Sequence, residues 1–436
     1  MLDFNAKRRI YYPEEQAEYF KKDWGGTNHL RKVELPVRIL ENAIVIPPLP
    51  VNNAYGASGM ETGVLDCDGR YVPGSGMRDW LEDEVISPNR VKFLNESAIY
   101  CGLLFPHYGH FLLQSTTRLY YYLKHRDFSG KLLFTWPTGT SRMPRYMVDF
   151  FSLLEIPLDR ILLVSTFVKV RELVVPPLAS QYDTDFTPDF ILPFQMAAEQ
   201  VPASNHKKIF FSRRKWNGIA KCFGEEQLER LFCGNGFTPI MPERFSLREQ
   251  ISLIKGADVV AGINGTAFHN IAFGAPGKKV IILNRTEEYE SQFLFNDATS
   301  ADWYVVKVHA NPFPVNHPHG PFIVGLTPEL REFCADHGLK TFGITFSPDK
   351  YLKSFLDYYC IVYSQVAPMQ ELITRRKDRV DTADLVRVIS LVQNRRMDLW
   401  LYRLLFRLTA GFRKRYYDLK CQTIKNLYKD ESSWKY

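Results

Sequence analysis

The chain has 436 residues, of which 45% are hydrophobic, so its length predicts two or three folded domains. It has no run of 18 apolar residues and no apolar leader at its N-terminus, which argues against a membrane-spanning helix and a secretory signal. Its seven cysteines form no C-x-x-C pair, a pattern typical of reduced thiols in a cytosol rather than of disulfides or a zinc site. The net charge of +7 is concentrated after residue 370, where 16 Lys and Arg stand against 8 Asp and Glu.

The first half of the chain changes character near Glu96. Residues 1–95 are rich in turn signals, with strand candidates such as VRILENAIVIP. The following segments then alternate between strand and helix patterns: SAIYCGLLF, HYGHFLLQSTTRLYYYLKHR, KLLFTWP, PRYMVDFFSLLEI, RILLVS and RELVVPP. This β–α–β alternation predicts a parallel sheet.

A second alternating block follows a proline-rich crossing segment and begins near residue 205. Its strand candidates are KKIFFSRR, TPIMPE, DVVAGI and KKVIILN, with helices between them. One of these helices begins with a capping box, Ser246 followed by Glu249. The predicted fold is α/β with two Rossmann-like domains facing a cleft: residues 1–200 (α/β over 96–180), residues 205–345, and a basic helical extension over 346–436. Ligands of such sheets bind at the carboxyl ends of the strands.

The stretch ADVVAGINGTAFHNIAF, starting at Ala257, combines a buried strand, a glycine turn and a helix start. Backbone N–H groups and the helix dipole at Gly265 and Thr266 suit a phosphate, although the same pattern also serves as a plain turn. A basic loop, FFSRRKW, follows another strand of this block. Its Arg213, Arg214 and Lys215 are either phosphate ligands or a solvated loop.

His107 and His110 lie at the start of the first block's long helix. A histidine can remove a proton from a sugar hydroxyl, or it can simply be hydrogen-bonded where a strand meets a helix. No third ligand accompanies the pair, so we expect no zinc site. The Asp183–Asp185 pair has the spacing of a metal motif but falls in the crossing segment, and we interpret it as linker acidity.

Three blocks together resemble glycosyltransferase family 61, a group of inverting nucleotide-sugar transferases of the GT-B type. They are YGHFLLQSTTRLYYYL, the stretch from KIFFSRRKW to SLREQISLIKGADVV, and AGINGTAFHNIAFGAPGKKVIIL. The resemblance implies a GT-B fold that needs no metal or other cofactor and binds its donor on the second half. It assigns donor contacts to Arg213, Glu243, Gln250, Gly265 and Asn270.

Four positions depart from the family pattern. In the second block, Lys221 replaces an arginine, and Gly224 replaces the asparagine of an Asn-Glu pair whose glutamate is Glu225. Asn264 replaces a histidine before the glycine, and Gln114 replaces an aspartate in the first block. An amide at either position brings no charge and cannot titrate. We nevertheless place Asn264 and Thr266 with the donor-binding residues, His110 as the candidate base, and His107 and Arg118 on the acceptor side.

The basic tail gives a hypothesis about location. The segment from Asp398 to Tyr428 is apolar, aromatic and basic together, with membrane-surface candidates Trp400, Arg403, Arg407, Arg413, Lys414 and Arg415. Packing on the body or on a partner chain is the alternative. The predicted partners are a nucleotide-sugar, most simply a UDP-sugar, a glycan or lipid-linked glycan acceptor, and the anionic inner face of the cell membrane.

The nearly neutral body argues against nucleic acid as a partner, and oligomerisation stays open. The function expected from these observations is glycosyl transfer in the synthesis of a surface polysaccharide such as capsule or lipopolysaccharide. The alternative is a non-catalytic protein that binds glycan or scaffolds its assembly, which the Asn264 and Gln114 departures favour.

Overall fold

The structure is a computed structural model. It describes residues 9–14, 17, 29–31, 36–52, 58–79, 81–82, 86, 88, 90–137, 142–181, 184–215, 220–286, 292–311, 320–352, 354–355 and 358. The predicted extension over 346–436, with all of its membrane-surface candidates, therefore lies almost entirely outside the described residues.

The first large sheet is mixed. Its strands, in spatial order, are β3 (Ser58–Leu65), β2 (Arg38–Asn52), β7 (Val168–Val175), β4 (Lys92–Leu103), β5 (Lys131–Thr135) and β6 (Ile161–Val164). Strands β7, β4, β5 and β6 are parallel, as the alternation predicts. Strand β2, which contains most of the VRILENAIVIP candidate, is antiparallel to both of its neighbours and makes the sheet mixed. Strands β2 and β3 thus form a long hairpin that extends the parallel part of this sheet.

The second large sheet is parallel throughout. Its order is β1 (Ile10–Tyr11), β15 (Asp302–Lys307), β14 (Lys279–Asn284), β13 (Val259–Ile263), β10 (Lys208–Phe211) and β12 (Thr238–Ile240). Strand β1 comes from the N-terminal segment and pairs with β15. Two small pairs complete the strands: β8 (Ser180–Gln181) with β9 (Asp185–Phe186), and β11 (Cys222–Phe223) with β16 (Phe322–Ile323).

The helices connect these strands. They are α1 (Tyr108–His110), α2 (Leu119–Lys124), α3 (Arg145–Leu153), α4 (Leu192–Glu199), α5 (Glu225–Gly234), α6 (Leu247–Gly256), α7 (Gln292–Ala298) and α8 (Pro328–Asp336). Short 3₁₀ segments span Leu158–Arg160, Pro188–Ile191, Pro242–Arg244 and Thr266–Phe273. No helix in the described part of the chain is long and apolar enough to cross a membrane.

The sequence predicts one continuous helix after β4, and this prediction is wrong in one respect, because the helix type changes along the segment. One α-helical turn at α1 passes into a π-helical turn over Phe111–Ser115, and a bend at Thr116–Arg118 precedes α2. The predicted capping box of α6 is confirmed, since the Ser246 hydroxyl accepts from the Glu249 N–H and the Glu249 carboxylate accepts from the Ser246 N–H.

One apolar core joins the two large sheets. It contains Ile99 and Phe134 from the first sheet and Val260 and Ile282 from the second. Phe150 of α3 lies between them, with its ring centroid 6.2 Å from that of Phe273 at the end of the second sheet's 3₁₀ segment. Burial of this shared apolar surface stabilises one sheet against the other.

Candidate functional site

The second sheet has a topological switch point between β10 and β13. The chain leaves β10, forms β12 on one side of it, and then crosses to β13 on the other side. In open α/β sheets ligands bind at such a point, outside the carboxyl ends of the strands. Arg213 follows the end of β10, and Asn264, Gly265 and Thr266 follow the end of β13. Two motifs that are about 50 residues apart in the sequence therefore meet at one crevice.

Arg213 packs directly over the backbone of Gly265. A methyl group added at Gly265 would lie 2.6 Å from the Arg213 Nη1 atom, far closer than a real contact. Gly265 has φ 163°, which is extended backbone, so a side chain here would disturb the close approach of the guanidinium and would not strain the backbone. The structure thus holds a half-buried cation against the glycine turn, an arrangement suited to a phosphate oxygen.

A buried carboxylate fixes the loop that bears Arg213. Glu225, at the start of α5, accepts a hydrogen bond from the backbone N–H of Arg213. Burial raises the pKa of Glu225 to about 7 against the lowering effect of that hydrogen bond and of the Arg213 charge. The Arg213 loop is therefore anchored through its backbone, which leaves the guanidinium on the Gly265 side.

The other two basic residues of this loop differ from Arg213 in their surroundings. Arg214 is exposed and forms an ion pair with Glu229, with 3.1 Å between Nη1 and Oε1. Glu229 also accepts from the Ser212 hydroxyl at 2.5 Å. Lys215 is exposed at the surface. Arg213 alone of the three is brought against the glycine turn.

Asn264 faces the interior. Its side chain is fully buried, donates to Asn284 Oδ1 at 3.0 Å and accepts from Gln292 Nε2 at 2.8 Å. The Gln292 amide also donates to the Gly265 carbonyl at 3.1 Å. The Asn264 amide therefore supports the turn from behind, and its contribution to a donor site would come through the shape of the turn.

The first block of the sequence touches the glycine turn. A methyl group at Gly109 would lie 2.5 Å from Thr266 Cγ2, so glycine lets α1 pack against the half-buried Thr266. The segment Thr266–Phe273, predicted as an α-helix, forms a 3₁₀ helix instead. Thr266 stands at its first position, where backbone N–H groups lack intrahelical partners.

A chain of hydrogen bonds connects the same two halves. The Tyr108 hydroxyl donates to Asn270 Oδ1, and Asn270 Nδ2 donates to Gln250 Oε1 at 2.8 Å. Gln250 Nε2 in turn donates to the Phe245 carbonyl at 3.0 Å. Asn270 and Gln250, which the sequence assigns to the donor, thus hold the second half together and connect it to Tyr108. Glu243 is exposed in the Pro242–Arg244 turn.

His110 lies next to this contact, one residue after Gly109. Its ring is half-buried, with Nδ1 3.0 Å from Gln114 Oε1, and its backbone N–H donates to His107 Nδ1 at 3.5 Å. Burial, followed by the neighbouring His107 and Arg78, lowers the pKa of His110 to about 4. The imidazole is therefore neutral at pH 7, the state in which it can accept a proton.

Arg118, which the sequence analysis placed on the acceptor side, lies inside the protein. It is 2% exposed, and its guanidinium donates to the carbonyls of Pro176, Gly74 and Ser75 at 2.7 to 2.9 Å. It also lies over the Tyr100 ring, 5.2 Å from the centroid. Through these contacts Arg118 joins the 73–79 loop to the residue that follows β7.

The residues that sequence reasoning missed are Tyr108 and Glu225. Tyr108 stands within the first block, and its hydroxyl is identified only by its partner across the core. Glu225 occupies the glutamate position of the family's Asn-Glu pair, which was a signal, but burial of its carboxylate against the Arg213 backbone requires the fold.

Among the residues the structure describes, no group of three or more His, Cys, Asp or Glu side chains is placed to hold a metal ion. Asp185 of the former metal-motif candidate is paired with Arg31, whose Nε donates to it at 2.9 Å, while Asp183 lies outside the described residues.

A known protein family matches the region of the chain that contains this site. Residues 108–281, which contain α1, the Arg213 loop, α6 and the glycine turn, match the model of glycosyltransferase 61. This region belongs to glycosyltransferase family 61. The resemblance of the three sequence blocks is thereby confirmed, and the match supports a glycosyltransferase that binds a sugar donor and a glycan acceptor. It covers less than half of the 436 residues, and no curated protein matches the chain.

Proposed function

We propose that this chain is an inverting glycosyltransferase of the GT-B type, with two Rossmann-like domains facing a cleft. It transfers a sugar from a nucleotide-sugar, a UDP-sugar, to a growing cell-surface polysaccharide or a lipid-linked glycan. The observation that supports this most is the packing of Arg213 over Gly265 at the switch point of the second sheet. A guanidinium and the backbone N–H groups at the start of the 3₁₀ segment together suit the phosphate oxygens of a nucleoside diphosphate.

The proposed reaction is a single displacement. The acceptor hydroxyl gives its proton to His110, and its oxygen attacks the anomeric carbon of the donor. The bond from that carbon to the phosphate oxygen breaks, and its electron pair leaves with the nucleoside diphosphate. Arg213 and the turn at Gly265 and Thr266 stabilise the charge that develops there, so we propose that no metal is needed.

The second candidate is a non-catalytic protein that binds glycan or scaffolds its assembly. One observation favours it: Asn264, at the family's histidine position, is buried and committed to Asn284 and Gln292. The two candidates separate on turnover, since a scaffold releases no nucleoside diphosphate from any donor.

The experiment is a release assay for UDP, GDP and CMP from a panel of nucleotide-sugars, with and without membrane glycolipid extracts as acceptor. We expect one donor to be turned over by the wild type, with kcat reduced about 100-fold or more in His110→Ala, in line with the contribution of a general base. Exposed Arg248 on α6 provides the control, and Arg248→Ala should retain activity. Absence of release from every donor, or full activity in His110→Ala, would contradict the proposed mechanism.

We also propose that the enzyme is a peripheral protein on the cytoplasmic face of the cell membrane. Support comes from the basic and aromatic composition of residues 398–428, where Trp400 and Arg403 illustrate the pairing of apolar and cationic side chains. Flotation with vesicles of phosphatidylglycerol and phosphatidylcholine tests this. We expect the wild type to float, and the Arg403→Glu, Arg407→Glu variant to stay with the soluble fraction; equal flotation of both would overturn the idea.

A further inference from the structure

A polar contact joins the His110 ring to the Gln114 side chain and bears on where the imidazole proton lies. The distance between His110 Nδ1 and Gln114 Oε1 is 3.0 Å. A carboxamide oxygen can only accept a hydrogen bond, so Nδ1 is the nitrogen that donates. In a neutral imidazole the other nitrogen, Nε2, then has the free lone pair.

Gln114 is buried, and the backbone on either side of it is anchored. Its side chain is 5% exposed and lies in the π-helical turn Phe111–Ser115. The next residue anchors that turn to the end of β4, because the Ser115 hydroxyl donates to the Leu103 carbonyl and accepts from the Phe105 N–H, both at 2.9 Å. The Gln114 backbone carbonyl also accepts from the Thr117 hydroxyl at 3.0 Å.

The charged and titratable neighbours of His110 do not compete for this role. His107 lies 4.9 Å away between ring centroids and uses its Nδ1 to accept from the His110 backbone. Arg78, on the loop after β3, acts on His110 through its charge and disfavours a second positive charge there. The Phe105 ring covers another side at 5.1 Å.

We infer that Gln114 is a positioning residue that holds His110 in the Nδ1–H tautomer, so that Nε2 is the atom that takes the proton of the acceptor hydroxyl. This inference rests on the proposed function for its catalytic consequence. The proton leaves the acceptor oxygen, Nε2 becomes protonated, and the transferred sugar exchanges its bond to phosphate for a bond to the acceptor oxygen.

A neutral partner also changes the pH range of the base. A carboxylate at position 114 would stabilise the imidazolium, whereas the Gln114 amide does so only weakly. Burial and the charges of His107 and Arg78 keep His110 unprotonated well below neutral pH, and an aspartate at position 114 would oppose this lowering of its pKa. We expect the acid limb of kcat/KM to fall below about pH 5 in the wild type, consistent with the lowered pKa of His110.

The direct test is ¹⁵N NMR of the full-length protein labelled at its 10 histidines, with the His110 signals assigned by His110→Gln. In the wild type at pH 7 we expect a protonated Nδ1 and an unprotonated Nε2. In Gln114→Leu, which keeps the buried volume, the two tautomers should become mixed. A protonated Nε2 in the wild type, or an unchanged tautomer in Gln114→Leu, would overturn the inference.

Kinetics of the same variants provide a second measurement. Gln114→Leu should lose about 10-fold in kcat with little change in KM, a part of what a general base contributes. Gln114→Glu, which is isosteric, should restore kcat and move the acid limb of kcat/KM upward by about 1 to 3 pH units. An unmoved acid limb in Gln114→Glu would count against the inference. Full activity of His110→Ala would instead overturn the proposed function, whatever tautomer the spectra show.

Discussion

Gly262 and Gly265 lie three residues apart, yet a methyl group would meet different surroundings at the two positions. At Gly262 it would lie 2.8 Å from the backbone carbonyl oxygen of Phe211 on the neighbouring strand. At Gly265 the closest atom is Arg213 Nη1, the far end of a flexible side chain. The first contact is part of the sheet, and the second is part of the candidate donor site.

We therefore predict that alanine at Gly265 weakens donor binding, whereas alanine at Gly262 lowers the stability of the fold. Gly265→Ala should displace Arg213 and weaken UDP binding by about 10-fold or more, with a change in unfolding free energy of under about 1 kcal/mol. Gly262→Ala should destabilise the fold by about 1 to 3 kcal/mol, since strand backbone must move. Urea unfolding and calorimetric titration measure the two quantities. Unchanged UDP affinity in Gly265→Ala would contradict the proposed role of the turn.

Glu225 predicts a pH dependence of stability. Burial raises its pKa from 4.5 to about 7, so between those values the folded state binds more protons than the unfolded chain. Stability from this group is present at low pH and is lost as the pH rises from about 4.5 to about 7, by up to about 3 kcal/mol. Glu225→Gln has no proton to lose, so its unfolding free energy should lack this fall. Exposed Glu243→Gln is the control, and parallel curves for Glu225→Gln and wild type would exclude this role.

At the scale of elements, the contact between α1 and the 3₁₀ segment Thr266–Phe273 joins the two halves of the site. Tyr146 of α3 packs against Tyr108 of this contact, with ring centroids 5.1 Å apart, and provides a matched comparison. The Tyr108 hydroxyl donates to Asn270, whereas the buried Tyr146 hydroxyl has no hydrogen-bond partner among the described residues.

The two phenylalanine substitutions should therefore differ. Tyr108→Phe leaves Asn270 without its donor and should cost about 1 to 3 kcal/mol of unfolding free energy. Tyr146→Phe removes an unsatisfied hydroxyl and should be neutral or slightly stabilising. Chemical denaturation of both variants measures the difference, and equal losses would show that the bond across the halves contributes nothing.

Much of this element-scale structure could be predicted from the sequence. Apolar runs located four strands of the second sheet, β10, β12, β13 and β14, but not β1 or β15, and Ser246 with Glu249 located the start of α6. The π-helical turn at Phe111–Ser115 could not be predicted, because an apolar pattern does not show a shift in backbone hydrogen bonding. The burial of Arg118 could not be predicted, because an arginine favours the surface until the carbonyls of Pro176, Gly74 and Ser75 and the Tyr100 ring are known to surround it.

At the scale of the whole molecule, the candidate site is assembled from both halves. The first sheet supplies His110 from the segment after β4, and the second supplies Arg213 and the Gly265 turn. Strand β4 lies at the switch point of the first sheet, with β5 on one side and β7 on the other, as β10 does in the second. The blocks and their order in the sequence predicted that both halves contribute to one site. Their contact through Gly109 and Thr266 could not be predicted, because it depends on the tertiary fold.

Calorimetric titration of the full-length protein with UDP tests the proposed donor site most directly. Wild type should bind, Arg213→Ala should lose about 2 kcal/mol or more, equivalent to a Kd at least 30-fold weaker, and the exposed-arginine control Arg248→Ala should match wild type. Thermal unfolding should confirm that both variants are folded. Equal UDP affinity in wild type and Arg213→Ala would contradict the assignment of the diphosphate to this crevice.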